Sequence, residues 1–425
     1  MMKEMKKYGF KFMLLSTLCL AACSTDKGED TPGPGAGDGK TGYADPQGVF
    51  IVNEGPDVYA CGSLVYLAPD GTASESDPYE AVNHSRMGYM AQDMYLYGGN
   101  YYLLCQNEVY KDGTSEGDGQ LIVVNAETLT KVAAYDADVL RTDMSQTDED
   151  ENILGDPTNV VVLDEHNVFI RDNRGMVRFD CSTKQMIRLE GTYRWANNGG
   201  NLAGCLHPQG MVVVNDRVYV AAGGWSMATP EARFGIYEFT RGATGINRQL
   251  SISNSSKISG LCADGGYLWV ATTIYEDLIG GTTRGENAIY KVDPETLTIV
   301  DTYPIRKGDL SLTDRTSAIT VLGDNIYYTG GTTSIYRFNT ADNTTTLLGD
   351  ASTFDPDARV LYNNIVVNPA NGYIYMTTIG EYSSTGYTTN NILVFDVSGD
   401  QLQLVANYKG LTCFPAGIVC VSRFE

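Results

Sequence analysis

One pattern of short strands recurs along the sequence and limits the possible fold more than any other feature. An apolar run meets a short polar turn, a second apolar and aromatic run follows, and a third short run carries a further aromatic residue. Six copies of this pattern lie at residues 94–104, 160–170, 211–220, 260–270, 318–328 and 365–376. Repeats of about 40–50 residues made only of short strands are typical of β-propeller blades.

The seventh copy is divided between the two ends of the chain. Residues 416–421 form the last apolar run, and residues 48–52 form the first run of the folded part. When a terminal strand pairs with the first blade, the ring closes and the exposed sheet edges disappear. The sequence therefore predicts an all-β fold, a seven-bladed β-propeller whose C-terminal strand pairs with the first folded strand.

The first 22 residues have the pattern of an export signal. A lysine-rich start precedes an apolar run that ends at Leu20 and is too short to span a membrane stably. The next residues, Ala21-Ala22-Cys23, fit a lipoprotein signal in which Cys23 becomes the lipidated N-terminus. An ordinary secretory signal is the alternative. Acyl chains, at about 0.8 kcal/mol per buried CH₂, would hold the protein on a membrane.

The segment after this cysteine cannot form a core. Residues 23–46 are rich in Gly, Pro and acidic residues, a composition that predicts a flexible tether. The expected organisation is a signal peptide at 1–22, a lipidated tether at 23–46 and a single propeller at 47–425. No second apolar segment approaches transmembrane length.

The charge of the chain limits its partners. The net charge is −22, and removal of residues 1–22, which contain four Lys and one Glu, lowers it to −25. So acidic a surface argues against nucleic acid or anionic lipid as the main partner.

The cysteines do not predict a metal site. Seven remain besides Cys19 and Cys23, and none has spacing suited to zinc. Cys262 and Cys420 fall in inner-strand patterns, which favours packed thiols. The cysteines in or near loops have the option of pairing in an oxidising compartment; they are Cys61, Cys105, Cys205 and Cys413.

The connections between strands differ in length on the two faces of the disc. Within each blade, the first and second strands, and the third and fourth, are joined by tight turns rich in Gly, Asn and Asp. The other connections, which meet on the opposite face, are often long, and long ordered loops are usually functional. This second face is the predicted binding surface.

The long connections carry many Tyr, Trp and Arg residues, which dominate binding hot spots. Packing between blades is the alternative role for each ring, and Trp269, in a strand, is predicted to be a core residue. The candidate ligand-binding residues are Tyr59, Tyr89, Tyr110, Arg194, Trp195, His207, Trp225, Tyr275, Arg284, Tyr382 and Tyr387.

Catalytic patterns are weak. Of three histidines, His166 falls in a tight turn on the other face, while His84 and His207 fall on the predicted binding surface without a GxSxG motif. Loop carboxylates able to hold a metal, as a lactonase propeller requires, are Glu54, Asp112, Asp118 and Asp156. We therefore expect no catalytic residue, metal or cofactor, and no enzymatic activity. A metal-dependent lactonase-like hydrolase is the alternative.

The lipoprotein signal, the tether and the motif Gly48-Val-Phe-Ile-Val-Asn-Glu-Gly55, followed by Gly-Ser-Leu-Val-Tyr at 62–66, resemble the YncE-like propeller lipoproteins of Bacteroidetes-type bacteria. The third strands at 121–129 and 289–297 resemble that group too, and the acidic start of the tether resembles its surface-export tag. The resemblance covers residues 48–425 and rests on structural motifs.

This resemblance implies a function. Members of the group include surface lipoproteins that capture a scarce nutrient and pass it to a TonB-dependent outer-membrane transporter, and BtuG-like members bind cobalamin. We therefore expect an outer-membrane, lipid-anchored protein facing the cell exterior, which binds a micronutrient complex, with cobalamin or another corrinoid favoured. Capture of an iron-siderophore complex and a glycan- or protein-binding scaffold are the alternatives.

Overall fold

The described chain is almost entirely β-structure. The computed structural model describes residues 41–56, 60–107, 117–142, 153–192, 206–222, 234–253, 257–276, 283–310, 317–383 and 385–424. Seven antiparallel sheets form the blades of a ring, so the predicted seven-bladed β-propeller is confirmed.

The strands are numbered in chain order and the blades from 1 to 7. Blade 1 contains β29 (Pro415–Cys420), β1 (Val49–Asn53) and β2 (Ser63–Leu67). Blade 2 contains β3 (Tyr89–Tyr97), β4 (Asn100–Asn107), β5 (Leu121–Asn125) and β6 (Lys131–Tyr135). Blade 3 contains β7 (Asn159–Asp164), β8 (Asn167–Asp172), β9 (Gly175–Asp180) and β10 (Gln185–Arg188). Blade 4 contains β11 (Leu206–Val214), β12 (Arg217–Ala222), β13 (Phe234–Phe239) and β14 (Arg248–Ser253).

The remaining blades follow the same order. Blade 5 contains β15 (Lys257–Asp264), β16 (Tyr267–Thr273), β19 (Ala288–Asp293) and β20 (Thr298–Pro304), with a two-stranded ribbon, β17 (Tyr275–Glu276) and β18 (Thr283–Arg284), between β16 and β19. Blade 6 contains β21 (Ile319–Leu322), β22 (Asn325–Tyr328), β23 (Ser334–Asn339) and β24 (Thr344–Asp350). Blade 7 contains β25 (Val360–Val367), β26 (Ile374–Ile379), β27 (Asn390–Asp396) and β28 (Gln403–Lys409).

The ends of the propeller meet in blade 1. Strand β29 pairs antiparallel with β1, with Ile51 opposite Ile418 and Phe50 opposite Val419. The main chain continues this contact beyond the sheet, because Val421 N donates to Gly48 O over 3.1 Å. The predicted closure by the divided seventh repeat is therefore confirmed.

The tight turns lie where the sequence predicts them. Five of the first hairpins, in blades 2 to 6, have two-residue turns, among them Asn215-Asp216 and Gly265-Gly266, whose four residues all have positive φ. Turns of this kind match the right-handed twist of the flanking strands. We call this side of the disc the turn face, and the side that carries the β26–β27 and β28–β29 connections the loop face.

The apolar core lies between neighbouring blades. In one example, Leu104 and Val123 of blade 2 pack with Val160 and Phe179 of blade 3. Trp269 is buried between blades 5 and 6, as predicted. Six further tyrosines lie within strands, as the repeat pattern predicts: Tyr95, Tyr219, Tyr267, Tyr290, Tyr327 and Tyr336.

A short 3-10 turn and a short helix lie close to blade 1. A 3-10 turn at Gly42–Ala44 packs on blades 1 and 2, and Tyr101 Oη donates to Tyr43 O over 2.7 Å, so ordered contacts begin inside the segment predicted as the tether. Helix α1 (Pro78–Asn83) begins at Asp77, whose carboxylate accepts from Tyr79 N, as an N-cap should. In the part of the chain that the structure describes, no helix is long and apolar enough to cross a membrane.

Candidate functional site

Several predicted binding residues lie outside the described residues: Tyr59, Tyr110, Arg194, Trp195 and Trp225. The same is true of Cys23, the predicted lipid anchor, and of the carboxylate Asp112. The strands that flank the predicted binding residues are described, and they end on the loop face: β1 and β2, β4 and β5, β10 and β11, and β12 and β13.

Three further predicted residues lie in strands, and the structure describes only their backbone. His207 is the second residue of β11 rather than a loop residue. Tyr275 and Arg284 are directly opposite each other in the β17–β18 ribbon. The long connection between β16 and β19 therefore contains a short antiparallel ribbon, which brings these two positions together.

Tyr89 requires a correction. The sequence pattern predicts a loop residue, but Tyr89 is the first residue of β3, where it pairs with Asn107. Its side chain is fully buried. A ring in this position stabilises the blade and offers no surface to a ligand.

Tyr382 and Tyr387 lie on the loop face, as predicted, and the structure adds two rings to them. Tyr362 lies 6.1 Å from Tyr382 and 5.4 Å from Phe414, while Phe414 lies 5.0 Å from Tyr387, measured between ring centroids. We call these four residues the aromatic patch. Tyr382 is 71% exposed, and its hydroxyl donates to Leu361 O over 3.1 Å. An exposed ring held by its polar end presents a flat apolar surface to solvent.

The backbone beneath the aromatic patch has unusual conformations. Phe414 has φ 51° and Asn363 has φ 62°, a region that bulky L-residues rarely adopt. The side chain of Asn363 donates to Pro415 O, and Glu54 N donates to Phe414 O over 2.9 Å. Asn adopts this region readily, so the strain is at Phe414; such strain persists only where the surroundings hold it and is concentrated at functional sites.

Tyr362 and Phe414 were missed by the sequence reasoning. Tyr362 lies within β25, where alternation predicts a structural role. Phe414 lies in the connection between β28 and β29, which belongs to the same class as the other long connections. That class was the signal by which Phe414 could have been found.

The aromatic patch lies beside a cavity at the centre of the ring. The cavity has a volume of about 310 Å³ and is lined by the inner strand of every blade: β3, β7, β11, β15, β21, β25 and β29. Asn363 and Ala416, neighbours of the patch residues Tyr362 and Phe414, belong to its wall. The loop face thus combines exposed rings with a central concave space, as ligand sites commonly do.

The C-terminal segment crosses the other end of this cavity. Arg423 Nη2 donates to Val367 O over 2.9 Å and to Val321 O over 3.1 Å, in blades 7 and 6. The ring of Phe424 contacts Tyr95 of blade 2 at 4.8 Å, edge to face. The segment Val421–Phe424 therefore joins several blades at the turn face.

The two histidines whose side chains the structure describes lie outside the aromatic patch and outside the wall of the central cavity. His84 ends helix α1 in a left-handed conformation. His166 lies on the turn face, where hydrogen bonding to Asp180 raises its pKa. Of the predicted metal carboxylates, Asp118 accepts from Ser85 and Lys131. Among the described residues, no three His, Cys, Asp or Glu side chains form a metal-binding group.

Four of the described cysteines are free thiols: Cys105, Cys181, Cys262 and Cys420. Cys105 lies inside β4 and is fully buried, and burial raises its pKa far above the usual range. Burial likewise raises the pKa of both Cys262 and Cys420, on the cavity wall, to about 12. These thiols remain protonated at neutral pH and behave as packing groups.

Solved structures with low sequence identity have a similar fold. A protein from Lactobacillus plantarum matches 87% of this chain and 98% of its own, with a TM-score of 0.53 and 12% identity. Puromycin hydrolase matches 85% of this chain but 52% of its own, with a TM-score of 0.51 and 14% identity. These similarities concern the fold alone, because a propeller scaffold supports many functions.

The comparison with protein families is more specific than the similarity of fold. No curated protein matches the chain significantly. The model of one family matches residues 47–421, which include all of the blades. The chain therefore belongs to the family described as "Domain of unknown function (DUF5074)".

Proposed function

We propose that this protein captures a bulky micronutrient complex on its loop face. The observation that carries the proposal is the aromatic patch, in which an exposed ring and three partly buried rings are held beside the central cavity. Aromatic faces cover planar apolar surfaces of a ligand, while backbone and amide groups bind its polar edges. A corrinoid has this combination of a broad face and polar periphery, and the family resemblance favours it.

The second part of the proposal is delivery. Lipidation at Cys23 would place the protein on the outer membrane, facing the exterior, and the tether would keep it near a TonB-dependent transporter. The high effective concentration of the tethered protein would favour transfer without any chemical step. On this proposal the protein is a binding protein and not an enzyme.

Calorimetric titration of the protein lacking residues 1–23 with cyanocobalamin tests the proposal, and a ferric catecholate siderophore is titrated in parallel. We expect one-to-one binding of cyanocobalamin, and at least about ten-fold weaker binding by the double variant Tyr382→Ala, Tyr387→Ala, because two contact rings are lost. Tyr97→Ala is the matched control, since Tyr97 is also exposed but ends β3 on the turn face.

The possible results separate the candidate ligands. Binding of the siderophore alone would overturn the corrinoid and retain micronutrient capture. If neither ligand binds, the proposal of micronutrient capture is overturned. Binding to members of a polysaccharide panel would then identify a glycan scaffold, because aromatic rings also stack on sugar faces. Wild-type affinity in the double variant would overturn the assignment of the aromatic patch.

A further inference from the structure

The central cavity contains a chemical group that the proposed function does not use. Its walls are mostly apolar, and its described lining includes two ionisable side chains of opposite charge, Asp93 and Arg423. Asp93 belongs to β3, on the inner strand of blade 2. Placing an ionised carboxylate in a largely apolar space costs free energy unless a partner stabilises its charge.

The protein stabilises the Asp93 carboxylate only in part. One oxygen accepts from Met94 N over 2.8 Å, and the other accepts from Val160 N over 2.9 Å, across the interface with blade 3. Burial nevertheless raises the pKa of Asp93 to about 7. Hydrogen bonds from Val160, Met94 and Asn159 oppose this shift, and no described cation contributes to it.

The arginine of the cavity is engaged elsewhere. Arg423 donates to the main-chain oxygens of Val321 and Val367 and to Thr320 Oγ1. These contacts hold its guanidinium at the turn-face end of the cavity. There its positive charge opposes the rise in pKa that burial causes at Asp264, Cys262 and Cys420. Asp93 is thus a carboxylate without a described cationic partner, facing a space large enough for a small molecule.

The size and chemistry of the cavity favour an organic cation over a metal ion. About 310 Å³ is far more than a bare ion fills, and it lies at the lower end of the range for ligand sites. Calcium and magnesium require six or more oxygen ligands, whereas the described residues contain no cluster of three metal-binding side chains. An alkylammonium ion carries one positive charge, which balances the charge of one carboxylate, and its alkyl chain packs against an apolar wall.

We propose that the central cavity is a second binding site, which takes a small organic cation of the alkylamine class and holds its ammonium group against the Asp93 carboxylate. The oxygens of Asp93 accept hydrogen bonds from the ammonium in addition to those from Met94 N and Val160 N. The alkyl part lies against the inner strands, whose apolar residues include Val213, Ile319 and Ile365. This site adjoins the aromatic patch but uses none of its four residues.

Titration with n-butylamine, followed by calorimetry, tests this site, and n-butanol serves as the neutral ligand of equal shape. We expect n-butylamine to bind and n-butanol to bind at least about ten-fold more weakly. Asp93→Asn should weaken n-butylamine binding at least ten-fold, because the charge is lost while the side-chain shape is kept. Asp264→Asn is the matched control, since Asp264 ends β15 near the cavity but is not part of its wall.

The pH dependence provides a second readout. Because the pKa of Asp93 is raised to about 7, the carboxyl is largely neutral at about pH 5.5 and ionised at about pH 8. An alkylamine stays charged up to about pH 10, as lysine does. Among the described residues, the other ionisable groups at the cavity are Arg423, Asp264, Tyr95 and the thiols Cys262 and Cys420. Burial raises the pKa of Tyr95 and of both thiols, so these three groups stay protonated in this range. Binding should therefore be at least about ten-fold tighter at about pH 8.

The outcomes of these measurements are decisive. Equal binding of n-butylamine and n-butanol, equal binding by Asp93→Asn, or no binding of the amine by the wild-type protein would each overturn the proposal. A thermal melt checks that Asp93→Asn is folded. The double variant Tyr382→Ala, Tyr387→Ala should bind n-butylamine normally, so failure of the cavity site and failure of micronutrient capture are distinguishable.

Discussion

Arg188 and Asp172 form an ion pair that is fully shielded from solvent in blade 3. The pair is bidentate, with nitrogen to oxygen distances of 2.7 and 3.1 Å. Asp172 also accepts from the main-chain nitrogens of Gly155, Arg174 and Gly175, and Arg188 donates to Ile153 O. The pair thereby holds the chain that enters blade 3 on the loop face.

Loss of one partner should destabilise the protein strongly. We expect Arg188→Met to lower the free energy of unfolding by about 3–5 kcal/mol, because it leaves a buried carboxylate without its counter-ion. Urea denaturation measures the change. Arg241→Met is the matched control: Arg241 pairs with Asp164 and Asp216 at the surface, where a pair contributes about 0–1 kcal/mol. Equal losses in the two variants would contradict this account.

At some positions in the strands, close contact with a neighbouring backbone limits which residue fits. Gly235 of β13 lies where its sheet register shifts opposite β14, and a Cβ atom at this position would lie 2.1 Å from Leu250 O. The oxygen belongs to the main chain of the neighbouring strand, so it has no side-chain rotamer by which to move away. Glycine is therefore required for the approach of the two strands.

The variant Gly235→Ala tests this requirement. We expect it to lower the free energy of unfolding by about 1–3 kcal/mol, because the β13–β14 ladder must shift to make room. Thermal and urea unfolding measure the loss. Gly399→Ala is the control, since a Cβ atom there has no neighbour within 4 Å and the backbone has no positive φ. A Gly235→Ala protein as stable as the control would contradict the steric argument.

The connections between strands explain why the aromatic patch is composite. Tyr382 comes from the β26–β27 connection, Tyr362 from β25, and Phe414 from the connection to β29. These segments are separated along the chain and become neighbours because blades 7 and 1 are adjacent in the ring. Tyr382, Tyr387 and Phe414 carry a local signal, because each lies in a connection on the loop face, whereas Tyr362 lies within a strand and carries none.

The ring as a whole depends on one pairing between its ends. Without β29, strand β1 becomes an unpaired edge, and the inner strand of blade 1 is missing. Exposed edges of this kind promote aggregation.

Two truncations separate closure from the terminal segment. A protein that ends at residue 414 should lose cooperative unfolding, because the pairing and packing of β29 contribute a free energy comparable with the whole stability of a domain, about 5–15 kcal/mol. A protein that ends at residue 420 keeps β29 and should stay folded, with a lower melting temperature because Arg423 is removed. Calorimetry and size-exclusion chromatography distinguish these states. Cooperative unfolding of the shorter protein would contradict the role of closure.

The fold could be predicted from local patterns because each blade repeats the same signals. Alternating apolar residues, tight turns with Gly, Asn and Asp, and the divided seventh repeat are all short-range features. They sufficed for the number of blades, the closure and the turn face. Trp269 and the strand tyrosines were placed correctly for the same reason.

The site was less predictable because its parts meet only after the ring forms. Tyr89 looked like a loop residue, but pairing with Asn107 extends β3 to include it and buries its ring. Asp93 gave no signal, since an acidic residue within a strand is usually solvated. Its cavity exists only where seven inner strands converge, and the patch only where blades 7 and 1 touch. Repetition along the chain therefore specified the blades, whereas closure in space created the sites between them.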